Sequence, residues 1–212
     1  MNTINVNIFQ MKSKPHGTER INDFMGIDGG ENAFVAIGWP GIGDLTNVSK
    51  DEIRERLEKR YNYKGQQLGT YLSAVNTFVN TMKKDDIVLI TNKIGNVYIF
   101  EVGEYSYEKD YDHDSFGMCH QRKAKLLKVL NKSELNLELQ ELLRNRGTIT
   151  QFKYPFEKSG LDKWFEPVEE LDVNLNKLVS SALNVLEKEL LAEVPVIRIK
   201  AAAEILRFAK EN

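Results

Sequence analysis

The chain has 212 residues, of which 42% are hydrophobic and 28% charged, a composition typical of a folded globular protein rather than a disordered one. The net charge of −2 argues against a protein that binds polyanions over a whole basic face, and the apolar runs are too short to span a membrane. Because Cys119 is the single cysteine and the three histidines are scattered, neither a disulfide nor a metal or cofactor site is predicted, and a cytoplasmic location is expected.

Six strands are predicted from alternating or continuous apolar runs. In chain order they lie around Ile4, Val6 and Ile8, then at 34–37, 87–90, 97–107, 120–130 and 148–152. Gly103 interrupts the fourth strand and predicts a bulge there.

Helices are predicted between these strands from apolar residues at helical spacing. They cover a short segment at 20–25 and longer segments at 50–61, 68–82 and 133–144. Ser49 and Glu52 form a capping-box pattern before the second helix, and Ser133 is the predicted cap of the fourth. A turn is expected at 28–30, and the acidic segment 108–118 is predicted to be a mobile loop.

The apolar run Phe34–Ile37 ends abruptly at Trp39, which is followed by Pro40 and two nearby glycines. A tryptophan at a strand end either fills the core or stacks on a flat ligand, and this stretch alone favours the core. Asp44 either accepts a hydrogen bond from a ligand or caps its own turn, and the pattern favours the cap.

The order of these features resembles the PUA-like superfamily of pseudo-barrels. The resemblance is carried by Ile37-Gly38-Trp39, Gly43-Asp44-Leu45, Asp86-Ile87-Val88, VYIFEVGEYSY at 97–107 and His120-Gln121-Arg122-Lys123. Within the superfamily, the chain is most similar to the EVE and YTH branches and to the modified-base readers of modification-dependent restriction systems. It departs from the family pattern at Asp85-Asp86 and at Leu126-Leu127.

This resemblance implies an α+β fold, a PUA-like mixed pseudo-barrel of about six strands with surrounding helices, over residues 1–155. It also implies that the domain binds nucleic acid, with DNA expected rather than RNA, as a sensor in a defence or restriction system. A flipped or modified base would be held in an aromatic pocket. The implied pocket residues are Trp39, Asp44, Tyr105, Tyr107 and Phe116.

Residues 120–132 carry basic side chains and no acidic ones. The basic residues either form a solvated strand edge or hold the phosphates beside the flipped nucleotide, and the resemblance favours His120, Arg122 and Lys123 as phosphate contacts. Tyr105 and Tyr107 have the alternative of lying on the barrel face with their hydroxyls in water, and Phe116 that of anchoring its own loop.

No catalytic group of residues is identified, so the expected protein is not an enzyme. Cys119 and His120 are neighbours on a strand, where successive side chains face opposite ways, so they do not form a nucleophilic pair. Residues 156–212 are predicted to form a linker and a C-terminal helical hairpin whose apolar stripe docks on the barrel or on an effector or nuclease partner. The alternative function is an interaction or scaffold subunit in which these helices mediate oligomerisation.

Overall fold

A computed structural model describes residues 6–26, 32–165, 175–192 and 194–211 of the chain. Strands β1 (Ile8–Met11), β2 (Phe34–Ile37), β3 (Ile87–Thr91), β4 (Asn96–Tyr107), β5 (His120–Asn131) and β6 (Ile149–Gln151) form one sheet in the order β2-β5-β4-β3-β1-β6. The sheet is curled into a half-barrel. The α+β fold with six strands is therefore confirmed, whereas its membership of the PUA-like superfamily stays a prediction.

All neighbouring strands pair antiparallel except β1 and β3, which run parallel with Ile8 opposite Ile87. A short turn joins β3 to β4, whereas the longer loop at 108–119 joins β4 to β5. The register of β4 against β5 shifts between Val102 and Tyr105, which confirms the bulge predicted at Gly103.

Strand β1 begins later than predicted, at Ile8, and all four of its residues are buried. Its Gln10 side chain is only 2% exposed, so both faces of β1 are covered. The alternation of Ile4, Val6 and Ile8 was therefore a misleading guide. Ile4 and the predicted turn at 28–30 lie outside the described residues.

Helices α1 (Ile21–Met25), α2 (Lys50–Tyr61) and α3 (Gly65–Asn76) pack with the sheet into one apolar core. Phe24, Leu57, Val75 and Phe100 are among its fully buried residues. Helix α3 begins three residues earlier than predicted and ends in a wider π-helical turn at Thr77–Thr81. The core thus joins β2 to the α2–α3 junction, where the site described below is formed.

The single helix predicted at 133–144 is instead two pieces. A 3₁₀ turn at Lys132–Glu134 is capped by Asn131, and helix α4 (Leu137–Leu142) is capped by Asn136, whose side chain accepts a hydrogen bond from the Leu139 N–H at 3.0 Å. Two asparagine caps in succession start two separate turns, so the predicted Ser133 cap was wrong.

The chain divides into two compact units, Met1–Asp162 and Lys163–Asn212. After the short helix α5 (Asp162–Phe165), the second unit contains α6 (Leu175–Glu189) and α7 (Pro195–Glu211), which contact each other. These are the predicted C-terminal helices, with Pro195 at the first position of the second. None of the helices in the described segments combines the length and apolarity needed to cross a lipid bilayer.

Candidate functional site

A pocket of about 240 Å³ opens beside the end of β2. Four aromatic side chains and two lysine side chains are among the residues that line it. The aromatic residues are Trp39, Tyr61, Tyr63 and Tyr71, and the lysines are Lys12 and Lys14.

The four rings form one continuous aromatic wall. Tyr61 and Tyr63 are stacked with ring centroids 5.0 Å apart and planes inclined by 5°. Tyr63 is 4.7 Å from Tyr71, and Tyr71 is 5.5 Å from Trp39, both in tilted arrangements. These separations are those of favourable aromatic pairs, so the wall is packed before any ligand enters.

Three structural elements bring these rings together. Trp39 follows β2, Tyr61 is the last residue of α2, and Tyr71 lies in the middle of α3. Asn62 ends α2 in the left-handed conformation with a φ of 54°, which turns the chain and places Tyr63 between the two helices. The pocket is therefore a product of the α2–α3 junction packing against the end of a strand.

The backbone of Trp39 is strained. Its φ of 71° lies in the left-handed region, where a bulky residue costs about 1–3 kcal/mol and persists only if its surroundings hold it. The Tyr61 hydroxyl donates a hydrogen bond to the neighbouring Pro40 carbonyl at 2.6 Å. One of the pocket tyrosines thus helps to fix the loop that carries Trp39.

The hydroxyls of Tyr61 and Tyr63 stay neutral. The pKa of Tyr61 is raised well above its usual range, mainly by burial and to a smaller extent by the neighbouring Tyr63. Burial also raises the pKa of Tyr63. Positive charge comes from the lysines, where partial burial and the proximity of Lys132 and Lys14 lower the pKa of Lys12. The pocket therefore combines a neutral aromatic wall with clustered cations, an arrangement suited to a flat ligand that carries negative charge.

A second cluster of polar side chains lies at the end of β4, at the start of β5 and in the loop between these strands. The Tyr105 hydroxyl is 2.9 Å from His120 Nδ1 and accepts a hydrogen bond from the Leu45 N–H at 3.2 Å. Asp112 accepts hydrogen bonds from the Gly41 N–H at 2.6 Å and from the Tyr107 hydroxyl. Both hydrogen-bonded pairs contact the backbone on the C-terminal side of Trp39.

The ionisation of this cluster follows from its burial. Burial lowers the pKa of His120 to about 4, against the opposing effects of Asp112 and the Trp39 backbone, so the imidazole is neutral at pH 7. Burial works against ionisation of Asp112 as well, but hydrogen bonds from Tyr107 and Gly41 outweigh it and lower the pKa of that carboxyl. Burial, followed by the negative charge of Asp112, raises the pKa of the Cys119 thiol well above its usual range, so it is not a thiolate nucleophile.

A family model described as "Domain of unknown function (DUF8426)" matches residues 27–153, more than half of the chain. The chain belongs to the DUF8426 family. No curated protein and no solved structure matches it. The DUF8426 segment contains the four pocket aromatics and the second cluster, whereas Lys12 and Lys14 lie before its first matched residue.

Of the pocket residues predicted from sequence, Trp39 alone lines the pocket of this DUF8426 domain. Tyr105 and Tyr107 belong to the second cluster. Asp44 is exposed and accepts hydrogen bonds from the Thr46 N–H at 2.8 Å and the Thr46 hydroxyl at 2.7 Å, which is the turn-capping arrangement. Phe116 packs against Tyr111 and His113 within its own loop.

The phosphate contacts predicted on β5 are placed differently by the structure. His120 is fully buried, and Arg122 is 1% exposed with its guanidinium donating to the carbonyls of Phe78, Gly103, Val79 and Met82. Neither side chain is accessible to a phosphate, and of the three predicted residues only Lys123 is exposed. These three residues therefore do not form the predicted phosphate site.

Sequence reasoning missed Tyr61, Tyr63 and Tyr71, as well as Lys12 and Lys14. Tyr61 and Tyr63 lie where the helix predicted at 50–61 ends, and Tyr71 lies within the helix predicted at 68–82, so the signal was three tyrosines close together around a predicted helix–helix junction. In the part of the chain that the structure describes, no three His, Cys, Asp or Glu side chains are grouped so that they could hold a metal ion.

Proposed function

We propose that this DUF8426 domain is a non-catalytic nucleic-acid-binding module that takes one base out of the stack and holds it in the aromatic pocket. The observation that carries the proposal is the wall of Trp39, Tyr61, Tyr63 and Tyr71 beside Lys12 and Lys14. Stacking of a base on aromatic rings is worth about 1–3 kcal/mol, which offsets the few kcal/mol that extrusion from a duplex costs.

The size of the pocket favours a single base over a larger ligand. Its volume of about 240 Å³ is smaller than the ~300–1,000 Å³ of pockets that hold drug-sized molecules. Because every base has a flat π-face, the four rings suit any of them, and an added methyl group would contribute further apolar contact.

The lysines favour a nucleotide over the other common ligand of aromatic cages. Cages of this kind also bind quaternary ammonium groups through cation–π attraction, but a cationic ligand would be repelled by Lys12 and Lys14. A phosphodiester group attached to the stacked base would instead be attracted. In this proposal the two lysines replace the phosphate contacts predicted on β5.

The finer parts of the proposal rest on the PUA-like resemblance. They are the preference for a modified base, for DNA over RNA, and a role as the sensor of a defence or restriction system. An effector or nuclease partner, docked on the C-terminal helices, would then supply the catalysis.

A titration of methylated and unmethylated DNA duplexes at two salt concentrations tests the proposal. We expect tighter binding of the methylated duplex, loss of that preference in Trp39→Ala and Tyr71→Ala, and an unchanged preference in the control Tyr154→Ala, whose exposed ring lies outside the pocket. Lys14→Gln should weaken both duplexes alike and lower the salt slope by about one. Equal weak binding of both duplexes, unaffected by Trp39→Ala, would refute the proposal.

A second candidate function is an interaction subunit, and it is favoured by the apolar side chains on the C-terminal helices. Val185 of α6 is 58% exposed, and Ile199 and Leu206 of α7 are 69% and 70% exposed. Light scattering on the full chain and on a chain ending at Asp162 distinguishes the two. A self-associating subunit would lose its oligomeric mass on truncation, whereas identical states of assembly would contradict a role of these helices in oligomerisation.

A further inference from the structure

The loop at residues 38–45, here called the Trp39 loop, connects β2 to the segment before α2. It contains three residues in the left-handed region, namely Trp39 with a φ of 71°, Gly41 with 84° and Gly43 with 70°. Two of them are glycines, for which this conformation is ordinary, but Trp39 is not. A conformation of this kind needs external contacts to hold it, because the loop's own sequence does not favour it at Trp39.

The second cluster supplies contacts of this kind, in addition to the hydrogen bonds that Tyr61 and Arg56 donate to carbonyls of the loop. The Leu45 N–H at the end of the loop donates to the Tyr105 hydroxyl, and the Gly41 N–H in its middle donates to Asp112. The other Asp112 oxygen accepts from the Tyr107 hydroxyl, which orients the carboxylate. Tyr105 and Asp112 therefore both bind backbone N–H groups of the loop, and these N–H groups belong to residues within six positions of Trp39.

The cluster is itself held by strand pairing. Tyr107 lies directly opposite His120 in the β4–β5 register, and the His120 ring is 6.1 Å from the Tyr105 ring and 5.9 Å from the Tyr107 ring. The Tyr105 hydroxyl and His120 Nδ1 share a hydrogen bond of 2.9 Å, which links the imidazole to the hydroxyl that accepts from the Leu45 N–H.

None of these four side chains lines the aromatic pocket. We propose that Tyr105, Tyr107, Asp112 and His120 are positioning residues that hold the Trp39 loop, and with it the Trp39 ring, in the pocket geometry before a ligand binds. The inference rests on the proposed function, since it explains how the stacking surface for the base is prepared. Preorganisation of this kind improves affinity without any contact to the ligand.

Single-hydroxyl variants test the proposal in a chain with Trp164→Phe, so that Trp39 is the one remaining tryptophan. The variants are Tyr105→Phe and Tyr107→Phe. The control is Tyr98→Phe, which also removes one hydroxyl from β4, but one that accepts from Asn92 and not from the Trp39 loop. Fluorine NMR of 5-fluorotryptophan reports the mobility of Trp39 in the free protein, and a titration with methylated duplex reports affinity.

We expect one narrow fluorine line in the parent and in the control, and a broadened or split line in Tyr105→Phe and Tyr107→Phe. The Kd for methylated duplex should rise about three- to tenfold in these two variants, because one hydrogen bond to the cluster is lost in each. Circular dichroism that matches the parent would show that the fold is retained.

An unchanged fluorine line in both variants would overturn the proposal, because Trp39 would then keep its geometry without the cluster. A parent protein that binds neither duplex would contradict the proposed function and not the positioning role. The line shape of free Trp39 would still decide whether the cluster holds the loop, so the two failures are distinguishable.

Discussion

Arg122 is a buried cation whose guanidinium lies 5.6 Å from the centroid of the Phe78 ring and donates its hydrogen bonds to backbone carbonyls. Its donors reach Phe78, Val79 and Met82 at the end of the helical segment that follows α3, and Gly103 at the bulge of β4. The last carbonyls of a helix have no partner within the helix, so the guanidinium satisfies groups that would otherwise be buried without one. Arg122 thereby ties a helix end to two strands of the sheet.

Replacing Arg122 with Met should destabilise the protein by about 3 kcal/mol, because several buried carbonyls lose their donor at once. Urea unfolding measures the effect as a fall in the free energy of unfolding. The matched control is Lys123→Met on the neighbouring, exposed position, with an expected change of at most about 0.5 kcal/mol. Equal stabilities of the two variants would contradict the role assigned to Arg122.

His120 should make stability depend on pH in a defined window. Its pKa is about 4 in the folded protein and 6.5 in an unperturbed chain, so between these values the unfolded state binds a proton that the folded state does not. Stability should therefore fall as pH falls from about 6.5 to about 4, by about 3 kcal/mol in total. Asp112, whose pKa is lowered, stabilises the folded protein at every pH above the ordinary carboxyl pKa, and this stabilisation is lost only as pH falls below that value.

Urea unfolding of the parent and of His120→Gln, followed from neutral pH to about pH 4, measures this contribution. The variant should be less stable at neutral pH but should lose less stability on acidification, because the titrating imidazole is gone. Parallel stability curves for the two proteins would show that His120 is not buried in its neutral form.

At the scale of elements, the α2–α3 junction decides where the pocket forms. Helix α2 begins at Ser49, whose hydroxyl accepts from the Glu52 N–H at 3.2 Å, as the capping pattern predicted. The Glu52 carboxylate pairs instead with Arg56 at 2.5 Å, and the Arg56 guanidinium donates to the Ile42 and Asp44 carbonyls. The first turns of α2 are thereby linked to the Trp39 loop.

Ser49→Ala should lower the free energy of unfolding by about 1 kcal/mol through loss of the helix cap. Ser73→Ala, at an exposed position within α3, is the matched control and should be neutral or slightly stabilising, because alanine is the better helix former. The midpoints of thermal unfolding separate the two. A Ser49→Ala midpoint equal to that of the control would contradict the assigned cap.

Local sequence patterns predicted most of the elements, because strand and helix periodicities survive wherever one face is buried. The patterns failed for β1, because all of its residues, Gln10 included, are buried and no alternation of buried and exposed side chains exists there. They also failed around Ser133, where the caps Asn131 and Asn136 divide the segment into two turns. For the site, the break in pattern after Ile37 placed Trp39 at a strand end but by itself favoured the core, whereas Trp39 lines the pocket in the structure. Tyr61, Tyr63 and Tyr71 were missed because they meet only through tertiary packing of α2 and α3 against β2.

At the scale of the whole molecule, the DUF8426 segment lies within the first of the two units. That unit contains the aromatic wall, the positioning cluster and the two lysines of the pocket, so it holds all the groups that the proposed base binding requires. The second unit carries the exposed apolar side chains of α6 and α7. The proposed base recognition and the proposed docking of a partner therefore involve separate units of one chain.

Fluorescence of Trp39 tests base stacking in the pocket most directly, in a chain with Trp164→Phe so that the signal has one source. Titration with a methylated DNA duplex should quench this fluorescence to a saturating level, at the same Kd that direct binding gives, and Tyr71→Ala should weaken both together. Binding of the duplex with no change in Trp39 fluorescence would contradict the proposal, because the base would then be held elsewhere.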